Sequence, residues 1–344
     1  MNFEIPNPIN IRPKDGKYQL LPELENAIEM ALLFDQPLLI TGEPGTGKTL
    51  LAYHAAQELH KKTRDAGTGL CRFANKPLIF NTKTSSVARD LFYTYDAVSH
   101  FQESNIAKGE NKTPKVTENF IELQAFGEAI ATANPKAEYA KNFIWNPATP
   151  PQSSVVLIDE IDKAPRDFTN DILNEIERYQ FTIKEKNYQV KLNDNPNQPN
   201  PQRILVIMTS NSEKNLPDAF LRRCIFYNIE FPNEAFLLKI INAQVAPQKE
   251  EKDMTAEEKK DAEIRATNLK NIVDEFYNIR NNVAVRKKTA TAEIVAFVKM
   301  MEAKGFLDQP NLNVKKQFKN NLSLIAKTKE DMDAIRKKLE VDLK

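Results

Sequence analysis

The order of apolar and polar positions divides the chain in two. Up to about residue 232, short apolar runs alternate with amphipathic stretches; beyond it, only helical patterning remains. The apolar runs are "PLLIT" (37–41), "PLIFNT" (77–82), "SVVLIDE" (154–160), "RILVIMTS" (203–210) and "CIFYNIEF" (224–231), each of strand length. Between them, helices are predicted over 22–34, 47–60, 86–102, 120–133 and 167–179. Strands alternating with helices predict a parallel sheet covered on both faces.

Two stretches break the alternation. "ESNIAKGENKTPKVTEN" (103–119) reads as an insertion between two helices. The second spans 181–202. There "FTI" and "YQVKL" alternate so that Phe181, Ile183, Tyr188, Val190 and Leu192 share one face, "KEKN" makes the turn of a β-hairpin, and "NDNPNQPNPQ" (193–202) is a polar connector. In the last third, the charge run "QKEEKDMTAEEKKDAE" (248–263) reads as a solvated helix face, with Thr255 and Glu258 forming a capping box. Further helices are predicted around 264–280, 289–304 (closed by Gly305) and 328–343. The expected division is a core over 1–232 and a helical domain over 233–344.

Composition narrows the function classes. The 344 residues carry 48 Lys and Arg against 47 Asp and Glu, a net charge of +1, so no global basic field marks a general nucleic-acid binder. Two cysteines, Cys71 and Cys224, make neither a disulfide framework nor a zinc site, and free thiols suit a reducing cytosol. The first residues lack the pattern of a signal peptide, and no apolar run reaches the length of a membrane span. The expectation is a soluble cytoplasmic protein.

The chain has only nine glycines, yet Gly42, Gly45 and Gly47 fall within six residues. Gly42, Glu43, Pro44, Gly45, Thr46, Gly47, Lys48 and Thr49 fit G-x-x-x-x-G-K-[ST], between an apolar strand and a helix. Glycines let the backbone turn so that successive N–H groups face one anion, and the helix N-terminus adds partial positive charge. Lys48 would bridge the β- and γ-phosphates of ATP, and Thr49 would place its hydroxyl on Mg²⁺.

Two other strands end in polar residues, where ligands of doubly wound sheets bind. "SVVLIDE" ends in Asp159 and Glu160. Asp159 reads as the acid that holds Mg²⁺ through water, and Glu160 as the group that polarises the attacking water. Asp162 is ambiguous, because "DEID" also resembles the DExD of helicases. "ILVIMTSN" ends in Thr209, Ser210 and Asn211; Asn211 reads either as a turn residue or as a group orienting the water. Arg222 and Arg223 either complement a helix C-terminus or act as an arginine finger on a neighbouring subunit's γ-phosphate. Arg286, Lys287 and Lys288 precede a helix start, where their charge opposes the dipole. Their negative partner is either a nucleotide phosphate or a surface carboxylate.

Taken together, these residues resemble the AAA+ ATPases, and within them the MoxR family. "GEPGTGKT", "LIDEIDKAPRDF", "MTSNSEKNLPDAFLRRC" and "VRKKTATAEIV" carry the resemblance, which covers about residues 20 to 300. It implies a P-loop NTPase αβα sandwich with a parallel sheet, followed by a C-terminal helical lid. It also implies a ring, usually hexameric, with ATP at subunit boundaries and hydrolysis transduced into motion of the lid. The two breaks match that family's insertions. By position, Asn211 is sensor 1, Arg286 is sensor 2, and Arg222 or Arg223 is the finger. MoxR relatives often have Asp-Arg-Phe there, where this chain has Arg222-Arg223-Cys224; register favours Arg223 and the doublet leaves both open. The resemblance further implies a chaperone-like remodeller, one that often works with a partner carrying a von Willebrand factor A domain, or acts on another protein client. The alternatives are an AAA+ motor or loader acting on nucleic acid, disfavoured by charge balance, and a GTPase switch. The latter lacks its guanine-reading N-K-x-D, since "NKPL" (75–78) has no Asp.

Overall fold

The structure, a computed structural model, describes residues 17–64, 72–109, 115–146, 150–195, 197, 201–212, 216–245 and 255–341. Cys71, most of the N-terminal stretch, the middle of the first insertion, part of the polar connector and the start of the charge run lie outside them. No helix among the described residues is long and apolar enough to cross a membrane.

The chain forms two compact units. One comprises Leu20–Gly42 and Lys48–Ile229. Its centre is a five-stranded parallel sheet of β1 (Leu38–Gly42), β2 (Leu78–Asn81), β5 (Ser154–Asp159), β8 (Ile204–Thr209) and β9 (Ile225–Ile229), in the order β2-β5-β8-β1-β9. β8 is buried at every position, and β1 and β5 lose burial only at their last residue. That pattern is what a strand covered on both faces requires. The expected strands are all present.

Helices α1 (Pro22–Phe34), α2 (Lys48–Arg64), α4 (Ala125–Ala133) and α5 (Arg166–Arg178) accompany the sheet. α1 has Glu23 and Glu25 in its first turn and stops at Asp35, whose left-handed backbone (φ 58°) ends the helix. α5 stops likewise at Tyr179 (φ 46°), whose hydroxyl donates to Asp35 Oδ1 at 3.1 Å. The hairpin forms as expected: β6 (Gln180–Ile183) pairs with β7 (Tyr188–Lys191), with Phe181 opposite Val190 and Ile183 opposite Tyr188. Phe181, Ile183, Val190 and Leu192 are buried in the core of this unit.

Two expected helices are corrected. Over 86–102 the chain makes a short 3₁₀ turn (Ala88–Leu91), a strand β3 (Tyr93–Tyr95) and only then α3 (Ala97–Gly109). Over 120–133 it makes a strand β4 (Ile121–Leu123) before α4. β3 and β4 pair antiparallel, Tyr93 opposite Leu123. The cause is the aromatic run Phe92-Tyr93-Thr94-Tyr95: it buries Phe92 and Tyr93 and suits a pleated pair better than a helix. The pairing brings Gly127 of α4 against the backbone of Phe92. A Cβ at 127 would stand 2.0 Å from the Phe92 carbonyl oxygen, which no side-chain shift relieves.

The other unit comprises residues 17–19, Glu43–Gly47 and the chain from Glu230 on. After α6 (Asp218–Leu221) of the sheet unit, it adds α7 (Glu234–Val245), α8 (Ala256–Asn282), α9 (Thr291–Ala303), α10 (Val314–Asn320), α11 (Leu322–Ile325) and α12 (Lys329–Val341). The capping box forms at α8: Thr255 Oγ1 accepts the Glu258 N–H at 3.2 Å, and Glu258 accepts the Thr255 N–H at 2.8 Å. The core joins Leu237 and Ile241 of α7 to Phe276 and Ile279 of α8 and to Phe297 of α9, whose ring stacks on Phe318 with centroids 4.3 Å apart. Sequence patterning missed α7, α10 and α11, because α7 is apolar nearly all round and the other two are single or double turns.

Gly127→Ala is expected to lower the unfolding free energy by about 1–3 kcal/mol, the range for overpacking a full core. A urea midpoint equal to wild type would contradict the close approach.

Candidate active site

The polar residues at the sheet's carboxyl edge form two neighbouring hydrogen-bonded groups, one around Asp159 and one around Asn211. The register of β5 and β8 pairs Ile158 with Met208, so Asp159 and Thr209 end their strands side by side. The buried Thr209 hydroxyl donates to Asp159 Oδ1 and accepts the Glu160 N–H at 2.9 Å. One threonine thus fixes both acids. Glu160 itself has φ 56°, an uncommon left-handed conformation for a side chain of its size, costing about 1–3 kcal/mol. Such strain persists only where surrounding contacts over-determine it. Its carboxylate forms an ion pair with Lys163, one turn on, and this hydrogen bond raises the Lys163 pKa.

Lys48, the first residue of α2, is buried. Its Nζ donates to the Gly42 carbonyl at 2.8 Å and to Asn211 Oδ1 at 3.0 Å. Burial lowers its pKa, opposed by the charges of Asp162, Asp159 and Glu160. Asn211 is held from the other side, its N–H donating to Asp162 Oδ1 at 3.2 Å. Asp162, ambiguous in the sequence, therefore positions Asn211 here. Thr49 Oγ1 lies 3.2 Å from both Asp159 oxygens. A hydroxyl beside a carboxylate is a pair of hard oxygen donors, the kind a hydrated Mg²⁺ takes.

Residues 43–47 of the loop group with the helical unit. Gly45 has φ +79°, and a Cβ there would come within 2.9 Å of Ala290 Cβ, so only glycine fits. Thr46 Oγ1 donates to the Glu43 carbonyl at 2.8 Å. Glu43 forms an ion pair with Arg280 at 2.6 Å. Pro44 lies between Glu43 and Gly45, and the last loop glycine, Gly47, has φ +89°.

The arginines behave differently from one another. Arg223 Nε pairs with Glu177 Oε1 of α5 at 3.0 Å, both side chains about half exposed. Arg222 is exposed and makes no ion pair among the described residues. Cys224 beside them is half-buried, and burial pushes its thiol up to about 12, which favours the neutral thiol. Arg286 is exposed; its N–H and that of Lys287 donate to the buried Asp331 at 2.8 and 3.3 Å, and the Arg286 amide holds the Asp331 carboxyl below its ordinary pKa. A carboxylate, one of the two partners considered for this basic stretch, thus lies here, and it engages the backbone of Arg286 and Lys287.

Residues 38–233, more than half of the chain, match the family described as ATPase family associated with various cellular activities (AAA). The chain belongs to this family. It is an ATPase, and its parallel sheet with flanking helices followed by a helical region is the αβα architecture expected. This AAA ATPase is also similar to the Holliday junction branch migration complex subunit RuvB of two strains of Prochlorococcus marinus. With strain AS9601 it is 36% identical over 81 residues, 23% of this chain and 21% of that relative, and the figures for strain MIT 9215 are the same. The match spans about a fifth of either relative's length.

Sequence reasoning missed Thr209 and Arg280. Thr209 was signalled by its place at the polar end of an apolar strand. Arg280 had no signal, being one of many basic residues on a long helix. Thr209→Val keeps the shape and removes both hydrogen bonds. Turnover is expected to fall about 10–100-fold, the usual scale for losing a residue that orients a ligand-holding group, with ATP affinity within about threefold. Unchanged turnover would show that Asp159 and Glu160 hold position without it.

Proposed function

We propose that this AAA ATPase is a MoxR-like ring ATPase that hydrolyses ATP at subunit interfaces to remodel or assemble a protein partner. The observation that carries the site assignment is the pair of hydrogen-bonded groups at the end of the parallel strands, Lys48 with Asn211 and Asp159 with Thr49 and Thr209. In this reading, residues 42–49 receive the triphosphate, with Lys48 at its β- and γ-phosphates. Thr49 and Asp159 would hold Mg²⁺, which when bound neutralises charge on the phosphates. Glu160 takes the proton of the attacking water once Lys163 yields its carboxylate; a pair this exposed holds weakly. Asn211 orients the water and Arg286 is sensor 2.

A neighbouring subunit's arginine completes the site. Arg222 is the better placed of the two, since Arg223 is engaged by Glu177. The proposed core spans 1–232 and the proposed helical lid 233–344, with the insertions near 103–119 and 181–202 as client-contacting segments. The ring is taken as hexameric, the partner as a von Willebrand factor A domain protein or another protein client, and the location as the cytoplasm. The MoxR assignment rests on the motifs at 42–49, 157–168, 208–224 and 285–295.

The partial similarity to RuvB supports a second reading, an AAA ATPase acting on nucleic acid. Against it stands the net charge of +1. Duplex DNA that stimulates hydrolysis with a steep salt dependence would favour this second reading.

Glu160→Gln is expected to bind ATP without turning it over, and Mg-ATP should shift it from monomer to about six subunits by light scattering, the family's usual ring. A monomer with ATP demonstrably bound would remove the ring. Separately, mixing Arg222→Ala with Lys48→Ala subunits is expected to restore part of the activity neither has alone, because mixed interfaces of one orientation join an intact Lys48 to an intact Arg222. Recovery with Arg223→Ala instead would move the finger to Arg223, and no recovery in proven mixed rings would remove the arrangement.

A further inference from the structure

Arg280 is a buried cation with no part in the chemistry so far. Its side chain is 6% exposed, and its guanidinium lies 3.6 Å from the centre of the Phe231 ring. Nη1 donates to the Thr289 carbonyl, and Nη2 to Glu43 Oε2 at 2.6 Å. Glu43 is half exposed and sits directly after Gly42, in the loop read here as the receiver of the triphosphate. A carboxylate is an unfavourable neighbour for a bound polyanion unless a cation neutralises it. A buried guanidinium, in turn, is costly without a partner, so the pair holds both members.

We propose that Arg280 is a positioning residue for ATP binding, which neutralises and immobilises Glu43 so that the phosphate loop accepts an anion. Three restraints define the guanidinium: the Phe231 face, the Thr289 carbonyl and the Glu43 carboxylate. The loop has a second anchor in the same unit, where Gly45 abuts Ala290, next to Thr289 in the chain. One short segment, 289–290, therefore backs both the guanidinium and the loop.

The proposal rests on the reading of residues 42–49 as the nucleotide site, and a double-mutant cycle separates the two. ATP affinity is measured calorimetrically with Mg²⁺ on the full chain, alongside steady-state turnover. Arg280→Gln is expected to weaken ATP binding and raise KM about tenfold, the scale of one charge-assisted hydrogen bond, with kcat within about threefold. Adding Glu43→Gln to it is expected to restore affinity to within about threefold of wild type, since the negative charge that Arg280 offsets beside the loop is gone. A merely structural arginine would give no such rescue. Normal affinity in Arg280→Gln, or a double variant as weak as Arg280→Gln, would overturn the proposal. If Arg280→Gln does not fold, Arg280→Lys carries the test: it keeps the charge and is expected to bind ATP within about threefold of wild type, and a tenfold loss overturns the neutralising role. Lys48→Ala is the control. If it binds ATP normally, the site reading itself fails; if it does not, a normal Arg280→Gln sinks this proposal alone.

Discussion

The parallel register of β5 and β8 is the constraint on which the candidate site depends. Both strands are apolar until their last residues, and both are covered on two faces. Their polar ends can only emerge together at one edge of the sheet. With Ile158 level with Met208, the next residues are Asp159 and Thr209, and a hydroxyl beside a carboxylate makes the bond that ties the strands. A slip of one residue would turn each side chain to the opposite face and bury an acid in hydrocarbon. The register of the core and the geometry of the site are therefore one decision.

From that edge, order spreads by short links. Thr209 fixes Glu160 through its N–H and so supports a strained backbone. Asp162 holds Asn211 by its backbone, and Asn211 in turn receives Lys48. No member of this chain of contacts is far from a strand end or a helix start. A site built on rigid elements keeps its geometry better than one built on free loops.

Much of this was legible along the chain. The phosphate loop combines a rare residue type, glycine, with an apolar strand before it and a helix after it. The acids after Ile158 were legible because a buried strand that ends in charge must open onto solvent or a ligand. The hairpin at 180–191 was legible from its alternation. The strands β3 and β4 were not, since three residues of aromatic and aliphatic character fit a helix or a strand equally well and only their pairing decides.

The sequence by itself determined the element types with long apolar runs, the glycine loop, and the residue types available at each strand end. It did so because burial and backbone freedom act locally and leave their periods in the chain. Tertiary structure alone decided that Thr209 fastens two acids, that Asp162 serves Asn211, and that one arginine on a 27-residue helix meets Glu43. These pairings join residues tens to hundreds of positions apart. Their energy comes from burying a charge or a hydroxyl beside its partner, a quantity that exists only once the intervening chain has folded.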